Sequence, residues 1–365
     1  MINLLEKAIE LLKIFEDNNY EAYLVGGFVR DYILKRQSSD VDICTNATPM
    51  QIKEIFKEVK LPFESYGSVH LNYKKVDFEI TTYRMDLEYK NKRNPSKIMY
   101  TDKLEIDLKR RDFTMNTLCM DSSGKIIDLF NNRQDIDNKI IKTVGDANKK
   151  LAEDSLRILR AIRFATELNF TIDDELSYAI VQNEYLLSEL SFFRKKQELN
   201  RILLSSNVLY GISLLKKYNL DKYLDIQISD NFVKTSDPIG MWVQLKPSEK
   251  YQFTSNEKRY IKSIDDIINS GNIDDITLYK NGNYISLIAA QIMGIDKRLI
   301  HDMYDKLPIK KISDIALKPR DIIDLLNIKD NYKIKDILND LEGEILIGDL
   351  NNNKEDIKKY LTSKC

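Results

Sequence analysis

The chain has 365 residues, a length that favours two or more packed units over one small domain. Its 56 Lys and Arg against 57 Asp and Glu leave a formal charge of -1, which excludes a globally basic nucleic-acid coat but leaves room for a local basic cleft. Hydrophobic residues at 43% and charged residues at 31% describe a chain that builds a core under a solvated surface, which excludes a disordered one.

The three cysteines, Cys44, Cys119 and Cys365, are odd in number and far apart, with no CxxC. They argue against a disulfide scaffold or a structural zinc site and for a reducing compartment. His70 and His301 are too distant to form a metal-ligand pair on one helix. The opening MINLLEKAIELLK carries Glu6, Lys7 and Glu10 where a signal peptide needs an apolar run. The most apolar stretch, residues 285–295, is about half the roughly 20 residues of a bilayer span. The expectation is a soluble cytoplasmic protein.

Leu4, Leu5, Ala8, Leu11, Leu12 and Phe15 recur at helical spacing and predict an opening amphipathic helix. Strands are predicted at 22–25, 41–44, 69–72, 76–82 and 117–120. Gly26-Gly27 punctuates the first of them and launches a helix over 28–34. Residues 86–100 are polar, carry Lys90, Lys92, Arg93 and Lys97, and are broken by Asn94-Pro95, so they read as a mobile loop. Beyond Leu151 the pattern is almost wholly helical. The fold class expected is α+β: an N-terminal head with a small mixed sheet, then an elongated all-α remainder.

Four clusters carry chemistry. The first is GGFVRD at 26–31 followed by the pair Asp40 and Asp42. In a strand, residues two apart share a face, which sets these carboxylates roughly 7 Å apart at Cα. Such a pair repels itself unless a cation intervenes, and it suits two magnesium ions about 3.5–4 Å apart, the spacing for in-line displacement at phosphorus. Alone, Asp-x-Asp is ordinarily a solvated turn; after a strand, a Gly-Gly turn and a helix start it is not. Gly26 and Gly27 let the backbone approach a triphosphate. Arg30, one turn on, could reach the same phosphates. The second cluster, at 76–84, puts Asp77 and Glu79 on one strand face, and either could supply a third carboxylate. A solvent-facing acidic edge is the plain alternative.

The third cluster, DLKRRDFTMNT at 107–117, suits a nucleotide gripped at triphosphate and ribose. Three consecutive cations stand beside Asp112 and Asn116; an arginine among them offers a fork for phosphate oxygens, while Asp112 could accept from ribose hydroxyls. The alternative is a basic helix end. In the fourth, at 153–165, Asp154 and Arg157 are three apart and so predicted on one helical face, continued by Arg160 and Arg163. Cytosine and adenine both present an exocyclic amino group beside an unprotonated ring nitrogen. A carboxylate accepting from the first and a guanidinium donating to the second would take both bases and refuse uracil and guanine.

These clusters, in this order and spacing, resemble the class II tRNA nucleotidyltransferase and poly(A) polymerase family. The resemblance continues at 143–165 and returns in PRDIIDLLNI (319–328) and DLEGEILIGDLNNNKEDIKKYL (340–361), which is similar to the tail of short bacterial members without a histidine-aspartate phosphohydrolase domain. It implies a polymerase β-like head at 1–145, a base-reading neck at 146–205, a body at 206–315 and a tail at 316–365. It implies Mg2+ as cofactor, Asp40 and Asp42 as its ligands, and Glu79 as the third carboxylate. It implies that Gly27, Arg30, Arg111, Asp112, Asp154, Arg157, Arg160 and Arg163 serve the nucleotide, and the first and third clusters add Gly26 and Asn116 to them. The family's Glu-Arg-Ile triplet stands here as Phe193-Arg194-Lys195, with Arg194 and Glu198 in place, and Thr117 stands where alanine is common.

The activity implied is template-independent addition of CCA to tRNA from CTP and ATP, with tRNA held at acceptor stem and elbow, and neither membrane nor DNA as a partner. Enzymes that add only A, add only CC, or make poly(A) share the fold. A small-molecule nucleotidyltransferase would not need so long a helical part. A non-catalytic RNA-binding module would need neither the aspartate pair nor the Asp154–Arg157 face.

Overall fold

The structure is a computed structural model that describes residues 2–38, 40–59, 67–90, 94–328 and 332–364. It divides into two compact units, Met1–Asp225 and Ile226–Cys365. The first opens with α1 (Ile2–Asp17), whose Ala8, Leu11, Leu12 and Phe15 are fully buried, as the spacing predicts. Then come β1 (Ala22–Val25), α2 (Gly27–Ile33), β2 (Val41–Thr45), α3 (Pro49–Ile55), β3 (Ser68–Tyr73) and β4 (Val76–Thr82). Proline at the first turn and a Thr48–Gln51 capping box start α3.

The next pair, β5 (Arg84–Lys90) and β6 (Asn94–Tyr100), forms an antiparallel hairpin. The mobile loop expected over residues 86–100 is therefore corrected to two strands. Pro95 stands opposite Tyr89 in a two-stranded ribbon, where both strands are edges, the sheet position to which proline is confined. Residues 91–93, at the turn, lie outside the described residues. After the hairpin come α4 (Leu104–Lys109), a 3-10 turn at Thr114–Asn116, β7 (Cys119–Met120), β8 (Ile126–Ile127), α5 (Arg133–Asp137) and β9 (Ile140–Ile141). The strand expected over 117–120 is only its second half, since Thr117 closes the 3-10 turn with its hydroxyl on the Thr114 carbonyl at 2.7 Å.

Six strands make one mixed sheet in the order β3-β4-β2-β1-β7-β8, with β2 and β4 parallel and the other neighbours antiparallel. A small core of Val25, Cys44, Tyr83, Leu108 and Cys119 lies against it, and both cysteines are free thiols.

The rest of this unit is helical: α6 (Ala147–Glu153), α7 (Leu156–Leu168), then a two-residue strand β10 (Thr171–Ile172) beside β9, α8 (Asp174–Asn183), a 3-10 turn at Glu184–Glu189, α9 (Phe192–Leu203), α10 (Val208–Lys217) and α11 (Asp221–Leu224). Helix α7 is buried nearly all round, and Asn169 in the left-handed region ends it. Gly211 lets α10 press on α7: a Cβ there would meet Thr166 Oγ1 at 2.6 Å.

The second unit holds α12 (Pro238–Gln244), α13 (Ser255–Ser270), α14 (Asp275–Met293), α15 (Lys297–Lys306), α16 (Pro319–Leu326), α17 (Tyr332–Ile347) and α18 (Lys354–Ser363). One hydrophobic core runs through it from Ile239 to Leu361. Among the described residues no helix is long and apolar enough to cross a membrane.

Candidate active site

The site grows from the β1–α2 turn. Gly26 has φ +73° and ψ -134°, a conformation open to glycine alone. A Cβ there would stand 3.2 Å from Asp42 Oδ2 and 3.6 Å from Arg111 Nη1. The turn, a carboxylate and a guanidinium thus converge on one point.

Asp42 lies inside β2 and is paired across the parallel register with Glu79 of β4. Burial pushes its carboxyl up to about 6, and repulsion from Glu79 and Asp40 adds to this while Arg111 opposes it. Asp40 precedes the strand and is exposed. Asp77 faces Asn72, which donates to its Oδ1 at 2.6 Å, so Glu79 is the carboxylate that neighbours Asp42. His70, given no role by the sequence reading, is Glu79's register partner on the other side, in β3. Among the described residues no three His, Cys, Asp or Glu side chains draw close enough to hold a metal ion together. The donor set still fits a hard divalent cation: carboxylates alone, one of them raised by burial and then by its acidic neighbours, a cost that a bound cation would relieve.

Arginines surround the other side. Arg30, 7% exposed, donates from Nε and Nη2 to Asp31 at 3.0 Å and from Nη1 to Asn116 Oδ1 at 3.1 Å. Asn116 in turn donates to Asp112 Oδ1 at 3.0 Å, and Arg160 Nε reaches Asp112 Oδ2 at 2.8 Å. A continuous chain Asp31–Arg30–Asn116–Asp112–Arg160 therefore ties α2 to α7. Burial alone would raise the Asp112 carboxyl, but Arg160, Asn116 and the Phe113 N–H hold it well below the usual range.

Asp107 is a partner that the sequence reading missed. Fully buried at the end of α4, it accepts from Arg110 Nε at 2.8 Å and Arg111 Nη2 at 3.2 Å. Despite its burial those two guanidiniums keep its carboxyl below the ordinary value. The signal was present, since Asp107 stands three and four residues before them on a helix.

Asp154 and Arg157 do come together, but not on one continuous helical face. The helix breaks at Asp154, which has extended backbone (φ -147°, ψ 104°) and closes α6 while its Oδ1 accepts the Leu156 N–H at 3.0 Å. An acidic side chain that can satisfy the N–H groups of a new helix explains why the chain restarts there. Burial raises the Asp154 carboxyl, and Arg157 partly offsets it. Arg157, 6% exposed, donates to the Lys150 carbonyl at 2.7 Å, Glu153 at 2.9 Å and the Arg110 carbonyl at 3.3 Å. Arg163, 1% exposed, pairs with Glu198 of α9 at 2.6 Å and with Glu167 at 3.1 Å.

A mixed sheet of this order, with its carboxylates under a glycine turn, makes the first unit a nucleotidyltransferase, and residues 22–142 match the family model for the poly A polymerase head domain. Residues 169–226 match the probable RNA- and SrmB-binding site of polymerase A, and residues 248–361 match the putative domain 2 of tRNA nucleotidyltransferase. The CCA-adding enzyme of Ligilactobacillus salivarius is 35% identical over 98% of this chain and 97% of that protein. That of Bacillus subtilis is 31% identical over 97% of each. The crystal structure of the Bacillus stearothermophilus CCA-adding enzyme in complex with CTP superposes with a TM-score of 0.84 at 27% identity, covering 98% of this chain and 97% of that one. The chain belongs to the CCA-adding enzyme family.

Proposed function

We propose that this chain adds the 3′-terminal CCA of tRNA, without a template, from CTP and ATP. The observation that carries the reading is the convergence of Asp42, its neighbour Glu79 and Arg111 beneath the Gly26 turn. The full-length similarity to CCA-adding enzymes narrows the substrate to tRNA.

In the reaction the 3′ oxygen of the RNA bonds to the α-phosphorus and the bond from that phosphorus to the pyrophosphate oxygen breaks. Asp40 and Asp42, with Glu79 as third carboxylate, would hold Mg2+, which would supply neutralisation of the charge that develops during phosphoryl transfer. Gly26 and Gly27 bring the start of α2 against the triphosphate, and Arg30 and Arg111 donate to its oxygens. Asp112 accepts from the ribose hydroxyls. Asn116 keeps Arg30 and Asp112 in register, and Arg160 orients Asp112 and fixes its charge. Positioning of this kind supplies most of the rate.

Asp154 accepts a hydrogen bond from the amino group of cytosine or adenine, and Arg157 donates to the adjoining ring nitrogen. In the structure its guanidinium is held by the Lys150 carbonyl, Glu153 and, at 3.3 Å, the Arg110 carbonyl. Arg163 serves the nucleotide site at one remove, by locking α7 to α9 through Glu198. We assign residues 1–145 to the catalytic head, 146–205 to the neck, 206–315 to the body and 316–365 to the tail, with the helical parts contacting the tRNA acceptor stem and elbow. The buried free thiols of Cys44 and Cys119 fit a reducing cytoplasm.

The test is single-turnover incorporation of labelled CTP, ATP, UTP or GTP into tRNA lacking its CCA, with magnesium. CTP and ATP enter the product, UTP and GTP do not, and Asp40→Ala, Asp42→Ala and Glu79→Ala abolish transfer while Asp77→Ala retains it. Transfer by Asp42→Ala near the parent rate, with parental circular dichroism, would overturn the assignment.

A further inference from the structure

Beside the active-site cluster a cavity of about 640 Å3 opens between the root of the β5–β6 hairpin, α4 and α6; it is lined by none of the residues proposed to serve metal or nucleotide, though its Arg110, Lys150 and Glu153 contact Asp107 and Arg157. Its size lies within the range of small-molecule sites. One wall is apolar, formed by Met85, Ile106, Phe130 and Val144, and Phe130 presents an aromatic ring with Lys109 Nζ 5.9 Å from its centroid. The other wall carries Arg110, Lys149 and Lys150. The carboxylates that share the cavity are already engaged: Glu153 with Arg157, Asp146 as the cap of α6, and Asp86 with Arg84.

Lys150 is the telling residue. It is 9% exposed, and its ammonium donates to the Lys109 carbonyl at 2.9 Å while the nearest carboxylate, Glu153, stands at 3.8 Å. Burial, and then the neighbouring Arg157, push it down to about 8, with Glu153 opposing. An anion in the cavity would add negative charge beside it, and a planar ring would cover Phe130.

We propose that this cavity is a second nucleoside-phosphate site, separate from the one at Asp42, with the base against Phe130 and Val144 and the phosphate against Lys149 and Lys150. The same chemistry is offered by a free nucleotide and by the end of an RNA strand.

Equilibrium dialysis of the full chain with labelled CMP, and separately with the dinucleotide CpC, in magnesium-free buffer distinguishes these sources. The expected result is two sites per chain for at least one probe: CMP alone assigns a free nucleotide and CpC alone an RNA end. Lys149→Glu, a surface change, and Val144→Trp, which fills the space, should each weaken one site by about tenfold or more. In the same preparations transfer of CMP from CTP to tRNA should stay within about twofold of the parent. One site per chain for both probes, or two that survive both substitutions, would overturn the proposal. The proposal goes beyond the assigned activity, and the transfer assay keeps the two apart: loss of transfer in the parent protein would strike the proposed function, not the cavity.

Discussion

Replacing Gly26 by alanine tests the convergence at the active site with a single methyl group. Two costs are expected. The backbone at φ +73°, ψ -134° is one that a Cβ disfavours by about 1–3 kcal/mol. The new Cβ also stands 3.2 Å from Asp42 Oδ2, so the carboxylate must shift by a few tenths of an ångström. At roughly 2–4 °C per kcal/mol for a unit of this size, the thermal midpoint should fall by about 2–12 °C. Displacing a proposed metal ligand should slow transfer by about tenfold to hundredfold. Gly27→Ala is the internal control. Its Cβ would meet only Arg30 Nη2, at an ordinary 3.6 Å, and its φ is not in the left-handed region, so stability should hold or rise slightly. Transfer should still suffer, because the methyl group intrudes where the triphosphate approaches. Differential scanning calorimetry and single-turnover CMP incorporation read both effects. Equal midpoints for Gly26→Ala and the parent, with equal rates, would refute the geometry.

Arg157→Ala should reduce use of CTP and ATP together, by about tenfold to hundredfold for a lost charge-assisted bond of ~1.5–3 kcal/mol, and selective loss of one nucleotide in steady-state kinetics would contradict a shared base-reading pair. Asp112→Asn probes linkage. The Asp112 carboxyl titrates lower in the folded chain than in the unfolded one, so its stabilisation is present above the unfolded value and fades as pH falls through and below it. The urea midpoint of the variant should therefore lie below the parent's at pH 7 and approach it towards pH 3; a constant gap would contradict this. Deleting residues 89–96 should leave addition of the two cytidines largely intact and stop the adenosine. One rigid pocket cannot hold bases of two sizes equally, and the hairpin that leads out of the catalytic sheet is the lever proposed to move. Product length on tRNA lacking CCA checks it, and a complete CCA end would remove the hairpin from the mechanism.

The catalytic sheet was legible because its strands alternate cleanly and its turn residues are specific. Gly26-Gly27 could sit only at a tight turn, and β4 was read to the residue. Residues 86–100 were misread because charge and Asn94-Pro95 argue for a loop, whereas each strand of a two-stranded ribbon is an edge, where proline is admitted. The break at Asp154 was hidden for a related reason. Helical periodicity runs through both α6 and α7, and only the side chain's bond to the Leu156 N–H marks the restart. Asp112 and Arg160 could each be singled out, but not their pairing, since 48 residues separate them and only the packed fold brings α7 to the Asp112 segment. Lys150 left no signal at all, because a lysine in a basic helix reads as solvated until its burial is seen.

Sequencing the 3′ ends of tRNA, supplied without its terminal CCA and incubated with the purified chain, all four nucleoside triphosphates and magnesium, bears most directly on the proposed activity. The account predicts a product extended by cytidine, cytidine and adenosine in that order, then no further growth, and no extension with Asp42→Ala. A tail of adenosines, a product that stops at CC, extension only of tRNA already ending in CC, or no extension by the parent chain would each contradict it.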